Sequence, residues 1–367
     1  VSGAQLPGPY QDRCVTIRVS YLGIDLGTSG LKAALIGPDG RLLADGKAGY
    51  PVTAARPGWA ETAPAAWRAA LTRVVRGLSE AVRAAPPRAV GLAGQMHGVI
   101  LCDAGGAPLR PAVLWPDRRT EAGLAGWRDL PDADRARLAN PVVAGMYGPV
   151  LAWLTAYEPS VAGRAQVALL PKDVLRAGLA GPPVTDRTDA SATLLWDLPG
   201  DRWAVEVAAR VGVPARLLPD VVAPDRVVGT TWWLASVVDG GPVDVPVVAG
   251  AGDTPAALLA AGTPGTLLVN IGTGAQVLRP GATPRPVADP VTHLYADTDG
   301  GWYAMAAVRN AGLSVEWARR VLGLEWADLT AILRRAPGPP AVTFLPFLTG
   351  ERGGLARPGP PRAWHRH

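Results

Sequence analysis

A chain of 367 residues, 48% hydrophobic and 18% charged, carries enough apolar material for a packed core and is long enough for two domains. Its formal net charge of +5 comes with no dense basic run, so nucleic acid is not an expected partner, and two cysteines, Cys14 and Cys102, exclude a disulfide framework. The apolar runs are too short or too interrupted to span a bilayer, which leaves a cytoplasmic protein with no membrane partner as the expectation.

Residues 1–20 read as a flexible tail. From Ile17 the run IRVSYLGIDLG alternates as a strand does, and LKAALIGPDGRLLADGKAGYPV continues it across a strong turn at Pro38-Asp39-Gly40. The spacing predicts a three-stranded antiparallel meander. In ETAPAAWRAALTRVVRGLSEAV, residues Trp67, Leu71, Val74, Leu78 and Val82 share one helical face, with Thr62 as the expected cap. PRAVGLAGQMHGVILCDAGGAPL then reads as strand, glycine-bounded loop, strand and turn. That alternation predicts an α/β architecture.

Residues 109–219 read as mainly helical, most clearly in WRDLPDADRARLA, GPVLAWLTAYEPSVA and LLPKDVLRAGLAG. VDVPVVAG is a buried-looking strand, and AGDTPAALLAAGT after it reads as a small-residue helix. TPGTLLVNIGTGAQVLRPG reads as strand, glycine turn, strand. Its turn, Asn270 to Ala275, repeats the Gly-Thr-centred hairpin of Ile24 to Gly30. Two such hairpins far apart predict two related domains, 21–245 and 246–367, divided at the turn-rich GGPVDVP.

Neither hairpin holds a GxxxxGK[ST] cradle or a GxGxxG fingerprint. A turn of small residues can still present backbone N–H groups and hydroxyls to a phosphate, and Gly27 and Gly30 permit close approach. Asp25, just before the turn, is placed to hold Mg2+ through water; the alternative is a tight hairpin with a solvated acid. Asp253 opens the small-residue helix, where a carboxylate is either a cap or the base that takes a proton from a hydroxyl attacking a phosphoryl group. Gln95 and His97, flanking Met96, read as polar fingers lining a pocket. The four histidines form no zinc spacing with the cysteines. WPDRR at Trp115 to Arg119 is either a surface ion pair or a sugar-recognising loop, its aromatic covering the apolar face and its charges reading hydroxyls.

The ordered set GIDLGTSGLKA (23–33), PGWAE (57–61), GLAGQMHG (91–98), LWPDRR (114–119), LLPKD (169–173), TDASAT (188–193), AGDT (251–254), NIGTGAQ (270–276), GWYAMAAVRNAGLSVEW (301–317) and FLPFLTGER (344–352) resembles the FGGY carbohydrate kinase family. QMHG with the downstream DAS points to its xylulose branch rather than to glycerol. The resemblance implies two ribonuclease-H-like, actin/hexokinase-type domains with a cleft between them, and an ATP-dependent transfer of the γ-phosphoryl group to O5 of D-xylulose. It implies Asp253 as catalytic base, and Asp25 with Gly27, Thr28 and Ser29 at the Mg-ATP phosphate site. Gly272, Thr273 and Gly274 become a second phosphate-side hairpin. Gln95, Met96 and His97 face the ketose, and Asp117 and Arg119 belong to the sugar-side loop. D-xylulose and ATP are the implied small-molecule partners, and a homodimer is left open.

The family pattern continues with a glycine-rich GGGA-type segment that contacts adenosine, and none follows Glu351. The second domain is therefore expected to be truncated, with apolar surface exposed on its sheet. Two other readings stay open: a kinase for another ketose or polyol such as ribulose, and a non-catalytic sugar-binding protein.

Overall fold

The computed structural model describes residues 19–262, 265–272, 274–308, 310–335 and 338, and the backbone of 342–344 and 364–366. The 1–18 tail, Thr273 and most of FLPFLTGER lie outside the described residues.

Strands β1 (Ser20–Leu26), β2 (Gly30–Ile36) and β3 (Leu42–Gly49) form the expected antiparallel meander, with Asp25 opposite Lys32. Alternation drives it: Leu22, Ile24 and Leu26 point inward from β1, and Leu31, Ala33 and Leu35 from β2. Helix α1 (Pro64–Gly77) covers this face with Trp67, Leu71 and Val74; the chain breaks at Leu78, and Val82 lies on the short helix after it, all five expected apolar positions being buried. Thr62 is not the cap. Ala63 holds that position, because Pro64 sets the first helical residue, while the Thr62 hydroxyl donates to the Pro51 carbonyl at 3.1 Å.

Strand β4 (Pro87–Gly94) pairs parallel to β1 and delivers Gln95, Met96 and His97 past its C-terminal end. Residues 109–219 are less helical than their pattern predicts, since two- and three-residue strands at 167–169, 185–186, 196–197 and 202–203 interrupt short helices. Helices α2 (Pro171–Ala177) and α3 (Arg187–Ser191) lie in this region and carry buried charge. Strands β5 (Val227–Thr231), β6 (Val245–Val248) and β7 (Ala251–Gly252) complete a seven-stranded sheet ordered β5-β6-β4-β1-β2-β3, with β7 pairing β4. The expected boundary at 245/246 thus falls at the start of a strand of this first sheet.

Helix α4 (Asp253–Ala261) follows at once. The second sheet is antiparallel, in the order β8 (Leu268–Ile271), β9 (Ala275–Pro280), β11 (Trp302–Val308), β10 (His293–Ala296), with helix α5 (Gly312–Val321) after it. The two hairpins close alike: Gly27 N–H donates to the Gly30 carbonyl at 3.0 Å and Gly272 N–H to that of Gly274 at 2.8 Å. Apolar side chains stand exposed on this second part, as expected, among them Val269, Ile271 and Leu322. Met96 and Ala192 of the first part pack with Leu278, Tyr295, Tyr303 and Met305 of the second, so one apolar cluster joins the sheets.

Candidate active site

A cavity of about 510 Å³ opens where the two hairpins approach. Of the residues singled out in the sequence, Thr28, Met96, His97, Asp253, Gly272 and Gly274 line it. Trp115, Thr254, His293, Tyr295 and Met305 line it as well.

Asp253 is the first residue of α4, and its Oδ1 accepts from the Thr254 N–H at 2.7 Å and from the Thr254 hydroxyl at 3.2 Å. The carboxylate therefore satisfies its own helix start and still reaches the cavity. Asp253 itself is exposed on the cavity wall, yet loss of solvent to the protein around it pushes its carboxyl up to about 6; the Thr254 bonds oppose that rise and the nearby Asp25 charge adds to it. Such a group is mostly ionised at neutral pH and still basic enough to take a proton.

Asp25 sits at the end of β1, half-exposed, with Lys32 Nζ 3.9 Å from its Oδ2. Burial raises its carboxyl above the ordinary aspartate range, and Lys32 only partly offsets this. Ser29 is exposed at the hairpin tip. The hairpin is anchored from behind: the Gly27 carbonyl accepts from the Tyr50 hydroxyl and from Gln95 Nε2 at 3.1 Å. Gln95 is buried and serves this anchor rather than the cavity wall. At the front, Trp115 Nε1 donates to the Thr28 hydroxyl at 2.8 Å, joining the loop 115–119 to the hairpin.

Met96 packs over Gly252, where a Cβ would lie 2.9 Å from its Cγ. His97 adopts φ +73°, a conformation a non-glycine residue holds at a cost of about 1–3 kcal/mol and one that clusters at functional sites. Its Nδ1 lies 2.9 Å from the Ala192 carbonyl, which only accepts, so Nδ1 carries the proton. Asp117 and Arg119 do not line the cavity. Asp117 takes the Ala60 N–H at 2.6 Å and two bonds from the Arg119 guanidinium. Arg119 also bonds Glu61 at 2.7 Å and stacks 3.6 Å from the centroid of Trp59. This sealed network holds the loop whose outer end is Trp115.

Sequence reading passed over His293 and Tyr295 as site residues. They stand two apart on β10, so both face one way, and the Tyr295 hydroxyl meets His293 Nδ1 at 2.7 Å. The polar-aromatic alternation of HLYA is the signal that was there to find. A buried group of Lys172, Asp173, Asp186 and Asp189 also lies behind Asp253, gathered from α2, α3 and the strand between them.

Residues 20–260 match the N-terminal domain of the FGGY family of carbohydrate kinases. The chain belongs to that family. A xylulose kinase of Streptomyces rubiginosus is 34% identical over 344 residues, covering 90% of this chain and 67% of its own length. A crystal structure of a xylulose kinase from Brucella ovis superposes with a TM-score of 0.81 at 31% identity, over 93% of this chain and 71% of that one. A xylulose kinase structure from Rhodospirillum rubrum gives 0.83 at 27% identity, over 93% and 72%. This FGGY chain is a sugar kinase by family and has the sugar-kinase fold, spanning 71% and 72% of those two structures. Carbohydrate kinases of the family use ATP as the phosphoryl donor.

Proposed function

We propose that this FGGY chain transfers a phosphoryl group from Mg-ATP to O5 of D-xylulose. The observation that carries this reading is Asp253, set on the wall of a cavity that both hairpins reach, with its carboxyl held at about 6. The matched relatives named as xylulose kinases favour a ketose over other acceptors.

The residues present suit a nucleotide with a divalent cation. Burial raises both Asp25 and Asp253 above the ordinary aspartate range, and the Asp25 charge raises Asp253 further, a rise that a divalent cation held beside them would relieve. Asp25 would hold Mg2+ through its oxygens and waters. Thr28, Ser29, Gly272 and Gly274 would take the phosphates; Gly27 keeps the first turn tight, since a Cβ there would lie 3.1 Å from the Gly30 carbonyl. Thr273 belongs to the same proposal. When bound, Mg-ATP supplies the phosphoryl group that is transferred.

Asp253 takes the proton of the sugar hydroxyl as its oxygen becomes the nucleophile. Met96 and His97 shape the ketose side, with the imidazole orientation fixed by Ala192. Trp115 covers an apolar face of the sugar, and Asp117 and Arg119 keep Trp115 in place. Gln95 acts one step back, by holding Gly27. A cytoplasmic location goes with this reading; among the described residues no helix is long and apolar enough to cross a membrane.

The test is ADP release by the chain on a panel of D-xylulose, ribulose and glycerol. D-xylulose should give the highest kcat/KM. Turnover that prefers glycerol, or that runs equally without sugar, would overturn the assignment.

A further inference from the structure

Lys172 is fully buried among three carboxylates that are also buried. Its Nζ touches Asp173 Oδ1, lies 2.9 Å from Asp186 Oδ2 and 3.5 Å from Asp189 Oδ2, and makes a long bond of 3.4 Å to the Ala249 carbonyl. The ammonium thus fills the space that the three acids would otherwise offer to a metal ion. Two glycines leave room for its stem: a Cβ at Gly94 would lie 3.0 Å from Lys172 Cβ, and one at Gly250 would lie 3.2 Å from its Cδ.

The contacts then run in one direction. Asp186 Oδ1 accepts from both the N–H and the hydroxyl of Thr188, at 2.7 and 2.5 Å. The Thr188 hydroxyl, its proton given to Asp186, accepts the N–H of Gly252 at 2.9 Å. Gly252 is the residue before Asp253 and caps α4 without any side chain of its own. Lys172 therefore holds the four-residue approach to Asp253 at both ends: directly at the Ala249 carbonyl and through Asp186 and Thr188 at the Gly252 N–H.

We propose that Lys172 and Thr188 are positioning residues for Asp253, fixing the backbone that aims its carboxylate into the cavity. This deepens the kinase reading and rests on it. Neither residue lines the cavity. A bare folding role for the cluster would leave turnover per folded molecule unchanged; a positioning role would not, because a misplacement of about 1 Å at a reacting group costs on the order of 100-fold in rate.

The decisive variant is Thr188→Val, which keeps shape and removes the hydroxyl, measured beside Thr188→Ser, which restores it. We expect kcat with D-xylulose and ATP to fall at least about tenfold in the valine variant, with a smaller change in KM, and to recover to within about threefold of the parent in the serine variant. Hydrogen exchange of the peptide spanning 249–254 should quicken about tenfold in Thr188→Val, as expected for one lost hydrogen bond, while the 22–35 hairpin stays unchanged. Thr188→Ala gives a second reading if the valine does not fold. Unchanged kcat in a folded hydroxyl-less variant, an equal loss in Thr188→Ser, or failure of both hydroxyl-less variants to fold would overturn the proposal. Asp253→Asn in the same assay separates the two layers. Turnover surviving there removes the base itself, whereas turnover lost there but intact in Thr188→Val overturns only the positioning.

Discussion

A carboxyl held at about 6 places a visible acid limb in the turnover of this chain. The ordinary aspartate value is 3.8, and loss of solvent around Asp253, aided by the Asp25 charge, accounts for the rise. If the ionised form is the base, the active fraction is about 0.1 at pH 5 and about 0.9 at pH 7. The kcat/KM for the sugar should therefore rise roughly tenfold over that interval, whereas a base at 3.8 would already be more than about 90% ionised at pH 5 and give a flat profile. Because nucleotide phosphates also ionise in this range, the carboxyl carbon of Asp253 should be followed directly by 13C NMR in the nucleotide-free chain. The same shift has a stability sign. The folded chain binds this proton more tightly than the unfolded one, so the carboxyl costs stability increasingly as pH rises from 3.8 through about 6. Asp253→Asn should remove that slope. A midpoint near 4 in the NMR titration, or a flat kcat/KM between pH 5 and 7, would refute the reasoning.

Asp25→Asn should raise the Mg2+ concentration needed for half-maximal turnover by about tenfold or more and lower the midpoint of Asp253, read by metal titration and by the same NMR signal. Arg119→Lys keeps the charge but loses the planar fork that bonds Asp117 and Glu61 and stacks on Trp59; urea unfolding should show a loss of about 1–3 kcal/mol. Gly250 has φ +85°, and a Cβ there would lie 2.1 Å from the Leu92 carbonyl, so Gly250→Ala should cost more than about 2 kcal/mol in the same measurement.

The local elements were legible where one period runs long enough to count. The β1–β3 meander and the Trp67, Leu71, Val74 face of α1 follow from alternation and from helical spacing, and the second hairpin follows from its likeness to the first. The region 109–219 was not, because strands of two or three residues carry no period. GGPVDVP is rich in turn formers, yet β6 begins within it and, with β7, returns to pair with β4; parallel pairing across a long connection leaves no local mark. In the site, Asp253, Met96 and His97 were visible as motifs, and all three line one cavity. Asp117 and Arg119 were equally visible, but only the fold shows them bonded to one another and sealed beneath Trp59. The route from Lys172 through Asp186 and Thr188 to Gly252 joins residues up to 80 positions apart, and sequence order alone gives no hint of it.

Asp253→Asn tests most directly whether Asp253 is the base of a sugar-dependent phosphoryl transfer. D-xylulose-dependent ADP release should fall by about a thousandfold or more, in line with the 10²–10⁴-fold contribution of general base catalysis, while the variant stays folded. A folded Asp253→Asn chain that releases ADP at the parent rate would contradict the account.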